Sequence, residues 1–96
     1  MSQSTIFKFR LYVADSTQNA TEATANLRAL CRTHFAGRHK IEIVDVFREP
    51  TRAQAEGVRM TPTLIKLAPA PVKRIVGTLS QTQRVLETLG LKADTA

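Results

Sequence analysis

The clearest hydropathy signal stands near the start of the chain, where Phe7, Phe9, Leu11 and Val13 alternate with Lys8, Arg10 and Tyr12. A period of two marks a strand with one face buried, so residues 6–13 are expected to form a strand with Lys8 and Arg10 on its polar side. The spacing then changes. After the polar stretch Asp15-Ser16-Thr17-Gln18-Asn19, the residues Ala23, Leu27, Leu30, Cys31 and Phe35 fall on one face of a helix. Asn19, with Glu22 three positions on, predicts its capped start and Gly37 its end; Arg32 and His34 in the last turn suit the negative end of the helix dipole. Lys40 to Phe47 is β-branched and nearly continuous, the pattern of a strand covered on both faces. A helical crossover between two such strands is right-handed and makes them parallel.

The second half is punctuated by proline. Glu49-Pro50 precedes a short helix expected from Thr51 to Glu56, closed by Gly57. Three of the four prolines, Pro62, Pro69 and Pro71, then surround two short apolar runs, Leu64 to Ala68 and Val72 to Val76. Proline fixes φ, removes a donor and pushes the preceding residue out of the helical region. The pair is therefore expected to form an antiparallel hairpin, with Pro69 and Pro71 in its loop and Pro62 at the edge of its first strand. X-Pro bonds also have access to the cis isomer, so these prolines are either fixed turns or sites of slow exchange. Ser80 and Gln83 have capping-box spacing ahead of Val85, Leu86 and Leu89 on a last helix. The order is βαβαββα, an α/β domain spanning residues 1–96, with Lys92 to Ala96 expected to be a flexible tail.

Composition narrows the function classes. Ninety-six residues with 43% hydrophobic and 23% charged content suit one globular domain with one modest core. The net charge of +6 points to an acidic partner, either a protein surface or nucleic acid. With no Trp and one Tyr, a stacking platform for single strands is not expected. The single cysteine, Cys31, has no partner for a disulfide and no His/Cys cluster around it for a metal. The carboxylates are scattered and the four glycines isolated, so neither paired acid–base chemistry nor a phosphate-cradling loop is visible, and no cofactor is expected. The N-terminus lacks a secretory pattern and no run approaches the roughly 20 residues of a membrane span, so a cytoplasmic location is expected.

The element order, with Thr61-Pro62 directly before the third strand, resembles the thioredoxin fold, and the resemblance implies a cis bond at Pro62. The redox pair of that fold would fall in Asp15 to Asn19, which holds no thiol, so dithiol chemistry is excluded. A narrower resemblance runs from about Phe7 to Leu91. Leu11-Tyr12-Val13-Ala14, Val44-Asp45-Val46, Thr61-Pro62-Thr63-Leu64, Pro69-Ala70-Pro71-Val72-Lys73-Arg74-Ile75-Val76-Gly77 and Leu79-Ser80 are similar, in order and spacing, to the KaiB family of bacterial clock proteins.

That resemblance implies a non-enzymatic regulator that docks on the ATPase ring of a KaiC-type protein. KaiA-type proteins and sensor histidine kinases are implied as further partners, and homo-oligomers as a self-associated state. It also implies two folds for the half after Glu49-Pro50, with Pro62, Pro69 and Pro71 in the switching part. In this reading Lys8, Arg10, Lys66, Lys73 and Arg74 form the basic surface offered to the ring; otherwise they protect a solvated sheet edge. Four departures stand out: Gly57 replaces a basic residue, Thr88 a glycine and Gly90 an aspartate, and the acidic tail is missing. Threonine at position 88 favours continued helix by up to about 0.5 kcal/mol, which points to the thioredoxin-like state and to a stress or signalling branch. The competing reading is a small basic nucleic-acid-binding or general protein-interaction domain with a redox-inactive thioredoxin-like fold.

Overall fold

A computed structural model describes residues 5–90. Seven elements follow in the expected order: β1 (Phe7–Val13), α1 (Gln18–His34), β2 (His39–Asp45), α2 (Pro50–Ala55), β3 (Thr63–Ala68), β4 (Lys73–Val76) and α3 (Thr82–Thr88). The strands form one sheet in the order β2-β1-β3-β4. β1 and β2 are parallel, as their helical crossover requires, while β1–β3 and β3–β4 are antiparallel. The expected tail, Lys92 to Ala96, lies outside the described residues.

Local chemistry sets the helix boundaries, and two of them differ from expectation. α1 starts two residues early because Thr17, not Asn19, is the cap: its Oγ1 accepts from Ala20 N–H at 3.1 Å and donates to Ala14 O at 2.7 Å. Either residue type caps well, and the tight turn through Ser16 (φ 67°) brings Thr17 into position first. α3 starts after Gln81 without a side-chain cap, so the Ser80–Gln83 box does not form. α2 carries Pro50 at its first position, where a missing N–H does no harm.

The two faces of the sheet are covered unequally. Phe9, Leu11 and Val13 of β1 and Leu64 of β3 pack under α1 and α3, against Ala23, Leu27, Cys31 and Leu86. The opposite face holds a smaller cluster of Tyr12, Val44, Ala53 and Ile65, capped by α2. Tyr12 therefore belongs to a second buried layer, not to a polar side. β2 also departs from expectation: it is an edge strand in which only Val44 is buried, Ile43 is 37% exposed and Phe47, beyond its end, is 73% exposed. Six residues of α2 are too short to cover a strand of seven, so continuous apolar sequence does not translate into two-sided burial here.

Candidate partner-binding surface

The place of a thioredoxin redox site, between β1 and α1, holds Asp15, Ser16 and Thr17. Cys31 lies inside α1 with no exposed surface, and burial pushes its thiol up to about 12. It is a packing residue. The peptide bonds preceding Pro62, Pro69 and Pro71 are all cis. The first matches the thioredoxin-like expectation and places Pro62 at the mouth of β3; the other two shape the β3–β4 loop.

The five cations singled out in the sequence do not form one patch. Phe7 and Phe9 pack toward α1, which turns Lys8, Arg10 and Tyr12 to the α2 face. Lys8 is exposed there, directly across from exposed Lys40 on β2. Arg10 is engaged: its Nε donates to Glu42 Oε1 at 2.8 Å and its Nη1 to Glu56 Oε1 at 2.9 Å. The Tyr12 hydroxyl donates to the same Glu56 oxygen at 2.7 Å. Arg52 on α2 completes the chain through Glu42 at 3.0 Å and Glu49 at 3.3 Å. Tyr12 and Arg10 together hold the Glu56 carboxyl below the ordinary range, and Arg52 with Arg10 does the same for Glu42. Burial, with the Glu56 bond, raises the Tyr12 phenol.

The hairpin divides its own charges. Lys66 shares a side of β3 with Leu64 and is buried, at 2% exposure, under the α1/α3 face. Desolvation lowers its ammonium, and Lys73, its cross-strand partner, adds repulsion. Lys73 runs along that same face beside Gly90 at the end of α3. Arg74 points to the other side, opposite Ile65, and its guanidinium donates to the main-chain oxygen of Glu56. Exposed positive charge among the five thus comes from Lys8 and Arg74, with Lys73 half-buried, while Arg10 binds α2 to the sheet and Lys66 lies beneath the surface. Sequence reasoning missed Tyr12, Glu42, Arg52 and Glu56 as a connected set. Their one legible trace is Arg10 and Tyr12 two apart on a strand, which puts both on one side.

A family model for the KaiB domain matches residues 10–91. The chain belongs to the KaiB family. It is 40% identical over 82 residues to the circadian clock protein KaiB3 of Synechocystis, covering 85% of this chain and 78% of that protein. To the circadian clock oscillator protein KaiB of a Synechococcus species it is 40% identical over 91 residues, 95% of this chain and 83% of the relative. Among solved structures, the N-terminal domain of Synechococcus elongatus SasA aligns over 100% of this chain and 94% of its own, with a TM-score of 0.73 and 14% identity. Chloroplastic thioredoxin z aligns over 88% of this chain and 76% of its own, with a TM-score of 0.72 and 20% identity. These two likenesses establish the thioredoxin-like fold. The matched span takes in both Tyr12 and the whole β3–β4 hairpin of this KaiB-family sheet.

Proposed function

We propose that this chain is a non-enzymatic KaiB-like regulator that binds a KaiC-type ATPase ring, in a circadian clock or a clock-derived stress or signalling system of the cytoplasm. The observation that carries the reading is the KaiB-domain match over residues 10–91, which includes the whole basic hairpin. The curated relatives are named as clock oscillator proteins, and the thioredoxin-like frame lacks the thiols that would turn the reading toward redox catalysis. In the docking we propose, Lys8, Lys73 and Arg74 meet the ring, with Arg10 and Lys66 supporting them from behind. A sensor histidine kinase or a KaiA-type protein is a further partner on the same reading.

The proposal extends to a second packing of the half after Glu49-Pro50, accompanied by self-association. The thin cover on the α2 face supports it, since little apolar surface must be uncovered to release α2. Size-exclusion chromatography with a KaiC-type ATPase, with and without nucleotide, is the test. A co-migrating complex that weakens on charge reversal at Lys73 and Arg74 is the expected result. No shift, together with salt-sensitive binding of DNA or RNA, would replace the reading with a nucleic-acid one. Helical backbone shifts across 72–76 in a slowly exchanging population are expected for the second packing, and a single strand-like set overturns that part.

A further inference from the structure

Among the described residues the sheet has two edges, β2 and β4, and their surroundings differ. Beside β2 the charges are mixed, with Glu42, Asp45 and Glu49 paired to Arg10, Arg48 and Arg52. Beside β4 positive charge predominates, with Lys73, Arg74, Arg59 and Arg84 against the one nearby carboxylate of Glu56 among the described residues. Gly77 N–H donates to Pro62 O at 2.9 Å, and the register sets Ile75 against Leu64 and Val76 against Thr63. Antiparallel pairs alternate between exchanging both bonds and exchanging neither. The Gly77–Pro62 bond therefore turns Ile75 and Lys73 inward and directs the backbone N–H and C=O of Arg74 and Val76 away from β3.

Two grooves flank that outward edge. One, of about 180 Å³, is lined by Val58, Arg59, Met60, Thr63, Arg74 and Val76 with Gly57 at its end. The other, of about 300 Å³, lies toward α3 and includes Val76, Leu79, Arg84 and Val85. Among the described residues no carboxylate lines either groove. The Glu56 carboxylate is hydrogen-bonded by Tyr12 and Arg10; Arg74 is near enough to act on its charge, but its hydrogen bond goes to the main-chain oxygen of that residue. Large apolar groups are nonetheless left open, Met60 at 65% and Val76 at 56% exposure.

We propose that β4 is a strand-addition site for an extended acidic segment of a partner protein. The segment pairs its backbone with Arg74 and Val76, sets an apolar side chain against Val58, Met60 and Val76, and brings flanking carboxylates to Arg59, Arg74 and Arg84. Backbone pairing supplies affinity in such complexes and the alternating side chains supply selectivity. The same charges disfavour a second copy of this chain, whose own β4 would bring Lys73 and Arg74 against their like. The inference rests on the reading above in one respect, that the hairpin meets a protein partner, and it adds the chemistry of that partner.

The test uses the full ¹⁵N-labelled chain and amide hydrogen exchange, with a capped peptide alternating glutamate and valine as probe and its lysine–valine counterpart as control. Exchange at the Arg74 and Val76 amides is expected to slow about tenfold or more with the acidic peptide and not with the basic one. Val76→Pro deletes one outward donor at a site where an edge strand accepts proline, and about tenfold weaker binding is expected. Arg59→Glu with Arg84→Glu, both exposed, is expected to abolish binding and covers the case in which V76P fails to fold. Protection at β2 amides, chemical-shift changes without protection, or protection that rises with protein concentration in the absence of peptide would each overturn the assignment. With the ATPase ring, unchanged affinity of both variants also overturns it and leaves ring binding standing. Peptide protection without any ring complex upholds the edge site and removes the ring instead.

Discussion

On one face of the sheet, Leu11, Leu27, Leu64 and Leu86 are buried against one another beneath two helices; on the other, a six-residue helix covers Tyr12, Val44 and Ile65 and is fastened by a chain of carboxylates and guanidiniums. The first face is closed by apolar area, which is non-directional and insensitive to pH. The second is closed by directional bonds between partly exposed charges, which respond to acid and salt. One domain thus has a face that sets global stability and a face whose cover can be lifted. In a chain proposed to dock and to repack its second half, the liftable cover lies on that half.

The difference can be broken most forcefully at the core. Leu27→Ala, at a site with no exposure, is expected to cost about 3 kcal/mol and to shift denaturant midpoints for every probe alike. A loss under about 1 kcal/mol would mean that the α1/α3 face does not govern global stability.

Glu56→Gln sharpens the contrast. It leaves Tyr12 and Arg10 a neutral amide oxygen in place of the charged carboxylate they share, and roughly 1 kcal/mol is expected, felt as faster amide exchange in 50–56 with α1 unchanged. Uniform acceleration would show that the cover is not a separate unit. The pH dependence follows from the same groups. Glu42 and Glu56 are held below the ordinary carboxylate range, so the unfolded chain binds protons first. Their contribution is complete above about pH 4.3, the unperturbed glutamate value, and fades as pH falls through the lower folded values. Exchange in α2 is expected to rise before that of α1 in an acid titration, and simultaneous loss would contradict the two-face picture.

A smaller effect of opposite sign is expected at Lys66, a charge lodged in the apolar face. Lys66→Met keeps the stem and removes the desolvated ammonium, raising stability by roughly 0.5–1 kcal/mol in thermal melts. A lower melting temperature would assign Lys66 a favourable partner. The smallest expected effect is none at all: Cys31 should resist alkylation until the chain unfolds, and labelling of the native protein would show α1 to be looser than its packing.

The α1/α3 face was largely legible in the sequence, because its signals are local. Phe9, Leu11 and Val13 at period two, and Ala23, Leu27, Leu30 and Cys31 at helical spacing, name the residues that are buried. The α2 face was not, because it is assembled from afar: Tyr12 and Glu56 are 44 positions apart and Arg10 and Glu56 are 46. No window contains such pairs. β2 misled for a related reason, since β-branched residues fit a pleated surface whether or not a helix arrives to cover them. Lys66 was misplaced on the surface by its charge, although its spacing from Leu64 already put it on the buried side. The basic hairpin was recognised by its wording, but which of its cations face outward depended on register.

Tyr12 is the chain's one tyrosine, and the chain has no tryptophan to mask it. Its hydroxyl is bonded to Glu56 just beyond α2, so the phenol's near-ultraviolet absorption and emission report whether that helix is seated. The unmodified protein therefore contains its own optical gauge for the cover of the weaker face. Spectra recorded during partner addition at neutral pH, where Glu56 stays ionised, read the departure of α2 without a label placed on any surface that the partner must touch.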